Sequence, residues 1–204
     1  MLRWMCVVLF CSVMALSASA DATYYIEFAP GVSLVGDADV SGGGISAEAE
    51  FDAGFVVGGA VGARVREQIR SELAVDYREA ELDKIGGVDG AADIRATTVM
   101  ANVYYDASLD LPVVPYLGVG IGVAILELDP SGNCVVACVD DTTEAFAWNI
   151  MAGVAHDVAE HVTLSIGYRY VGTTEPEFQG SGLSIETDDP LDIHEFRLGL
   201  RYSF

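Results

Sequence analysis

Apolar and polar residues alternate with a period of two through eight stretches of this chain. Tyr24–Val35 sets Ile26, Phe28, Val32 and Leu34 against Tyr25, Glu27, Gly31 and Ser33. Phe51–Arg64 opposes Phe55, Val57 and Val61 to Asp52, Gly54, Gly58 and Arg64. Ser71–Arg78 opposes Leu73, Val75 and Tyr77 to Glu72, Asp76 and Arg78, and Thr98–Asp106 opposes Val99, Val103 and Tyr105 to Asn102, Tyr104 and Asp106. Val114–Ile125 carries Leu117, Val119, Ile121, Val123 and Ile125 opposite Tyr116, Gly118, Gly120 and Gly122. Ala145–Val154 carries Phe146, Trp148, Ile150 and Val154 opposite Ala147, Asn149, Met151 and Gly153. Val162–Tyr170 carries Leu164, Ile166, Tyr168 and Tyr170 opposite Thr163, Ser165, Gly167 and Arg169. The closing stretch, His194–Phe204, carries Phe196, Leu198, Leu200, Tyr202 and Phe204 opposite Glu195, Arg197, Gly199, Arg201 and Ser203. Such alternation predicts strands with two unlike faces.

Which face looks inward separates two folds. A soluble barrel hides the apolar face, whereas a membrane barrel turns it to lipid and keeps the polar face inside. Three observations favour the membrane version. The stretches match the ~9–11 residues that a tilted strand needs to cross hydrocarbon. The polar face is too rich in Gly and Ala for a solvated surface and reads as a crowded interior. The apolar face carries Tyr24, Tyr77, Tyr105, Trp148, Tyr168, Tyr170, Tyr202 and Phe204 near strand ends, where amphipathic rings meet headgroups. The connections alternate in length. Long ones lie at Gly36–Glu50, Glu79–Arg95, Glu127–Glu144 and Val171–Ile193, and short ones at Val65–Ile69, Ala107–Pro112 and Ala159–His161. The expected fold is all-β: an eight-stranded antiparallel transmembrane β-barrel with short periplasmic turns, long outer loops and both termini on the periplasmic side.

Composition refines this picture. The first 20 residues pair a basic start, "MLR", with an apolar run and a small-residue "ASA" before Asp21, the pattern of an export signal. The expected division is residues 1–20 as signal peptide and 21–204 as one barrel domain. Loss of Arg3 with the signal takes the chain's 10 basic residues to nine, against 31 acidic ones. That balance speaks against nucleic-acid binding, which needs basic patches. Yet 51% of the residues are hydrophobic. The two properties separate along the chain, with much of the acid in the long connections, Asp140, Asp141, Asp188 and Asp189 included.

The segments "MANVYYD…PYLGVGIGVA" (Met100–Ala124), "FAWNIMAGVAHDV" (Phe146–Val158), "LSIGYRY" (Leu164–Tyr170) and "LGLRYSF" (Leu198–Phe204) resemble the small outer-membrane β-barrels of the opacity-protein/OmpA-like group of Gram-negative bacteria. The likeness covers the mature chain and corresponds to the barrel half of larger relatives, so a barrel without their periplasmic peptidoglycan-binding domain is expected. It implies residence in the bacterial outer membrane, among lipid and lipopolysaccharide. It also implies that Phe204, Tyr202, Leu200, Leu198 and Phe196 form the signal read by the barrel-assembly machinery, besides being a lipid-facing last strand.

The candidate chemistry lies on the polar face. Glu27, Glu72, Asp76, Arg78, Arg169, Arg197 and Arg201 are expected in the lumen, with Glu27 brought near Arg197 and Arg201 by barrel closure. They read as a salt-bridged plug, or alternatively as a gate or narrow ion path. Eight strands leave room only for side chains, which favours the plug. Cys134 and Cys138 form a candidate loop disulfide in an oxidising compartment, with two free thiols as the alternative. Grouped loop carboxylates could hold Ca²⁺ or Mg²⁺ weakly and bridge to lipopolysaccharide phosphates. No cofactor and no catalytic residue is expected, His156, His161 and His194 reading as interfacial residues. The expected role is structural or surface-interacting. The alternatives are a narrow channel for small solutes or ions, then an adhesin or a lipid-A-modifying enzyme.

Overall fold

β-branched and aromatic residues at alternate positions favour a pleated, extended backbone, and the described residues form strands joined by short turns. The computed structural model describes residues 22–35, 38–42, 45–51, 53–85, 88–109, 111–129, 142–174, 177–180, 183–187 and 192–204. The strands are β1 (Thr23–Val35), β2 (Ala38–Gly42), β3 (Ile45–Phe51), β4 (Gly54–Arg66), β5 (Ile69–Ile85) and β6 (Val88–Asp106). They continue with β7 (Val114–Asp129), β8 (Thr142–Ala159), β9 (Val162–Thr173), β10 (Glu177–Gly180), β11 (Leu183–Thr187) and β12 (Asp192–Ser203).

Eight of these close a barrel in the order β5-β4-β1-β12-β9-β8-β7-β6, and pairing of β5 with β6 seals it. All neighbours are antiparallel, so each strand finds both partners and no edge of the barrel is left open. First and last strands are adjacent, with Glu27 opposite Arg201 and Gly31 opposite Arg197. The Phe204 amide donates to the Tyr24 carbonyl at 2.9 Å, which fixes the end of the chain against its first strand. The turn at Glu67–Gln68, residues 107–109 and 111–113, the turn at Glu160–His161 and both strand termini, Thr23 and Ser203, share one end of the barrel.

The burial pattern is inverted relative to a soluble protein. Ile166 is 64% exposed and Leu117 63%, whereas Glu72 is 2% and Glu195 0% exposed. The apolar face of every barrel strand therefore points outward and the charged face inward, as the alternation predicts. Val123 is an exception in degree: it belongs to the outer face but is buried, in register between Val99 of β6 and Phe146 of β8.

The outer connections differ from the loops expected at Gly36–Glu50, Glu79–Arg95 and Val171–Ile193. β5 and β6 run for 17 and 19 residues, well beyond the ~9–11 needed to cross hydrocarbon, and pair as far as Ile85 with Val88. β3 pairs with the far part of β5, β2 with β3, β11 with β2 and β10 with β11. The barrel wall thus continues past the membrane as an added sheet. Its physical basis is local: hairpins extend wherever both arms can keep exchanging backbone hydrogen bonds, acidic or not. Likewise, Phe51–Arg64 is not one strand, because β3 ends at Phe51 and β4 begins at Gly54. Residues 1–20, Cys134, Cys138, Asp140, Asp141, Asp188 and Asp189 lie outside the described residues.

Leu198 is 59% exposed to the lipid side, while its neighbour Gly199 faces Ser165 and Glu27 inside. Leu198→Arg should cost about 2–4 kcal/mol in urea unfolding from lipid vesicles. Gly199→Ala, which asks the Ser165 hydroxyl to turn and the Glu27 carboxylate to shift slightly, should cost less. Equal losses would reverse the assignment of faces.

Candidate functional site

The lumen is built from three side-chain groups. At the end with the short turns, Arg70 of β5 grips Asp106 of β6 in a fork. Its Nε donates to Oδ1 and Oδ2 at 3.0 and 2.8 Å, and its Nη2 to Oδ1 at 3.0 Å. Arg64 reaches the same carboxylate at 3.1 Å. The Arg70 guanidinium also lies 4.3 Å from the centre of the Tyr104 ring and 5.6 Å from that of Tyr116, a cation–π arrangement. Alongside, Arg201 donates from Nε to Glu27 at 2.9 Å and sits 5.0 Å from the Tyr25 ring centre.

A second group surrounds Glu72. Its carboxylate accepts from Tyr25 at 3.2 Å, Asn102 at 3.1 Å and Tyr104 at 2.8 Å, so three neutral donors satisfy it. Asn149 donates to Asn102 at 3.1 Å. Glu72, Asn102, Gly120 and Asn149 occupy one register row across β5, β6, β7 and β8. The bond between the two asparagines spans Gly120, where any Cβ would strike Asn102 Oδ1.

The third group is the most densely charged. Asp76 of β5 accepts from Arg169 of β9 at 2.6 Å, pairs with Arg197 of β12 at 2.6 Å, and has Arg78 at 4.0 Å. Glu195 pairs closely with Arg78 and has Arg197 at 3.6 Å. Arg78 also donates to Thr98 at 2.9 Å, and Arg197 to the Ala29 carbonyl at 2.8 Å. Arg197 crosses the lumen above Gly58, whose missing Cβ would meet both Asp76 and the Arg197 guanidinium. Partners therefore come from opposite walls, tying β5 to β9 and β12.

All seven sequence-designated charges lie in this lumen. Closure pairs Glu27 with Arg201 and places Arg197 on the same cavity wall as Glu27, without an ion pair between them. The Arg197 side chain reaches instead toward Asp76 and Glu195, because Gly31, Ala29 and Gly58 leave it a path across the wall. The sequence reading missed Arg70, Asp106 and Glu195 as network members. Arg70 fell in the gap between the turn assigned to Val65–Ile69 and the strand assigned from Ser71. Its even number, in phase with Glu72, Asp76 and Arg78, was the signal that places it inside.

The remaining candidates lie apart from the lumen network. Phe196, Leu198, Leu200, Tyr202 and Phe204 face outward. His156 contacts the Pro112 carbonyl at 2.6 Å, His194 contacts the Tyr168 hydroxyl at 2.7 Å, and the His161 ring lies tilted against Tyr202, 6.0 Å between centres. Among the described residues no three His, Cys, Asp or Glu side chains converge as metal ligands.

With this geometry, residues 5–204 match the family described as Outer membrane protein beta-barrel domain. The chain belongs to that family. It is an outer-membrane β-barrel protein of the Gram-negative type. A Brucella abortus relative is 29% identical over 195 residues, covering 74% of this chain and 69% of its own. Outer membrane protein PagN of Salmonella typhimurium is 26% identical over 157 residues, covering 67% of this chain and 65% of its own. The crystal structure of Neisserial surface protein A shares the fold, with a TM-score of 0.60 at 22% identity, over 90% of this chain and 99% of that one.

Two substitutions test the packing of the lumen. Gly58→Ala, which intrudes on the Asp76–Arg197 pair, should destabilise the barrel by about 1–3 kcal/mol. Gly59→Ala faces outward with its nearest neighbour, a carbonyl, at 3.8 Å, and should be near neutral in the same urea titration. Asp76→Ala should cost about 3–5 kcal/mol, since it strands buried guanidinium groups without a counter-charge. Heat-modifiability on electrophoresis provides an independent readout of folding.

Proposed function

We propose that this protein is a closed, non-conducting and non-enzymatic barrel that serves the envelope structurally and presents its outer face for surface interactions. The observation that carries this reading is the third lumen group. Arg78, Arg169 and Arg197 meet Asp76 and Glu195 across the barrel, in an interior that eight strands make just wide enough for side chains. Moving a hydrated ion through would require breaking several buried ion pairs at once, each costly to open.

The surface role draws support from the outer sheet, in which β2, β3, β10 and β11 continue the wall beyond the length needed to span the bilayer. Its neighbourhood of lipid and lipopolysaccharide follows from residence in the outer membrane. Acidic outer segments holding weak Ca²⁺ or Mg²⁺ against lipopolysaccharide phosphates belong to the same reading. So does recognition of the last strand, from Phe196 to Phe204, by the assembly machinery.

Single-channel recording of the refolded mature protein in a planar bilayer tests the closed barrel. Folded protein should give no steady steps. Reproducible steps altered by Arg197→Ala would replace this reading with that of a narrow channel.

A further inference from the structure

The ion pairs do not fill the lumen completely. A cavity of about 30 Å³ remains between the first and third groups, walled by Arg70, Arg169, Arg197 and Arg201 together with one carboxylate, Glu27. That is room for about two waters, or one ion of comparable size. Glu27 is already engaged by Arg201 at 2.9 Å. Arg169 Nε and Arg197 Nε, on side chains only 7% and 9% exposed, have no hydrogen-bond partner among the described residues. Arg169 and Arg197 share the Asp76 carboxylate with Arg78, so the third group sets three guanidiniums against the two carboxylates of Asp76 and Glu195.

Open donors and positive charge thus meet at one cavity. Buried guanidinium N–H groups left unpaired are costly. A water placed among donors satisfies them but must also find acceptors for its own protons. A monatomic anion only accepts, and the cavity wall itself offers it four guanidiniums against one carboxylate. We propose that the cavity between Arg169 and Arg197 binds a small monovalent inorganic anion of chloride size. The anion completes the plug as a structural counter-ion, held by guanidinium donors from β9 and β12. Tyr116, whose hydroxyl end lies over Gly153 and Gly167 at the same cavity, narrows it.

The inference goes beyond the closed-barrel reading and fails separately from it, because conductance and halide response are different measurements. Thermal unfolding of the detergent-folded barrel is followed in sodium bromide and in sodium gluconate at matched ionic strength. A ligand bound only by the folded state raises the midpoint as its concentration rises. The expected rise is roughly 3–6 °C per tenfold bromide once the site fills, with none in gluconate. Bromide-soaked crystals should show an anomalous peak between Arg169 and Arg197. Arg169→Gln should abolish both. If that variant does not fold, Ser165→Val fills the cavity without removing a guanidinium and should abolish both as well. Equal midpoints in the two salts, no lumen peak, or a bromide response surviving Ser165→Val would each overturn the proposal.

Discussion

Charge placed inside a lipid-surrounded barrel must be balanced inside that barrel. No counter-ion arrives through the hydrocarbon, and burial of an unpaired ion costs several kcal/mol. This constraint organises the interior. Asp76 of β5 serves Arg169 of β9 and Arg197 of β12, and Arg78 of β5 serves Glu195 of β12. The same contacts that neutralise the lumen hold opposite walls at a fixed separation, so electrostatics and barrel shape are one requirement.

Glycine is the second half of that requirement. A narrow interior accepts an arginine or tyrosine only where neighbouring strands withdraw their side chains. Arg197 passes over Gly58, the Asn102–Asn149 bond spans Gly120, and the hydroxyl end of Tyr116 covers Gly153 and Gly167. The run "GVGIG" in β7 therefore belongs to lumen packing, each glycine taking a large partner from β6 or β8. A polar face rich in small residues is the complement of a few large charged ones.

Some features were legible because they depend only on period and parity. Facing follows from which alternate positions are apolar, so Ile166 and Leu198 were assigned to lipid and Asp76 and Arg169 to the lumen directly. The outer elements were not legible. Acidic, turn-rich segments such as Glu79–Arg95 read as loops, while their extension as strands depends on a paired neighbour that no single segment reveals. The partner of Arg197 was hidden for a similar reason. Register pairs name only adjacent strands, and this side chain reaches past them.

The sequence by itself determined the number of strands that close the barrel, the lipid and lumen faces and the adjacency of first and last strands, because alternation and closure are properties of a chain pattern. Only the tertiary structure decided which carboxylate meets which guanidinium, where the wall continues beyond the membrane, and that a donor-lined cavity survives between Arg169 and Arg197. Those outcomes depend on distances between residues far apart in sequence, several of them, such as Asp76 and Arg169, on strands that are not neighbours.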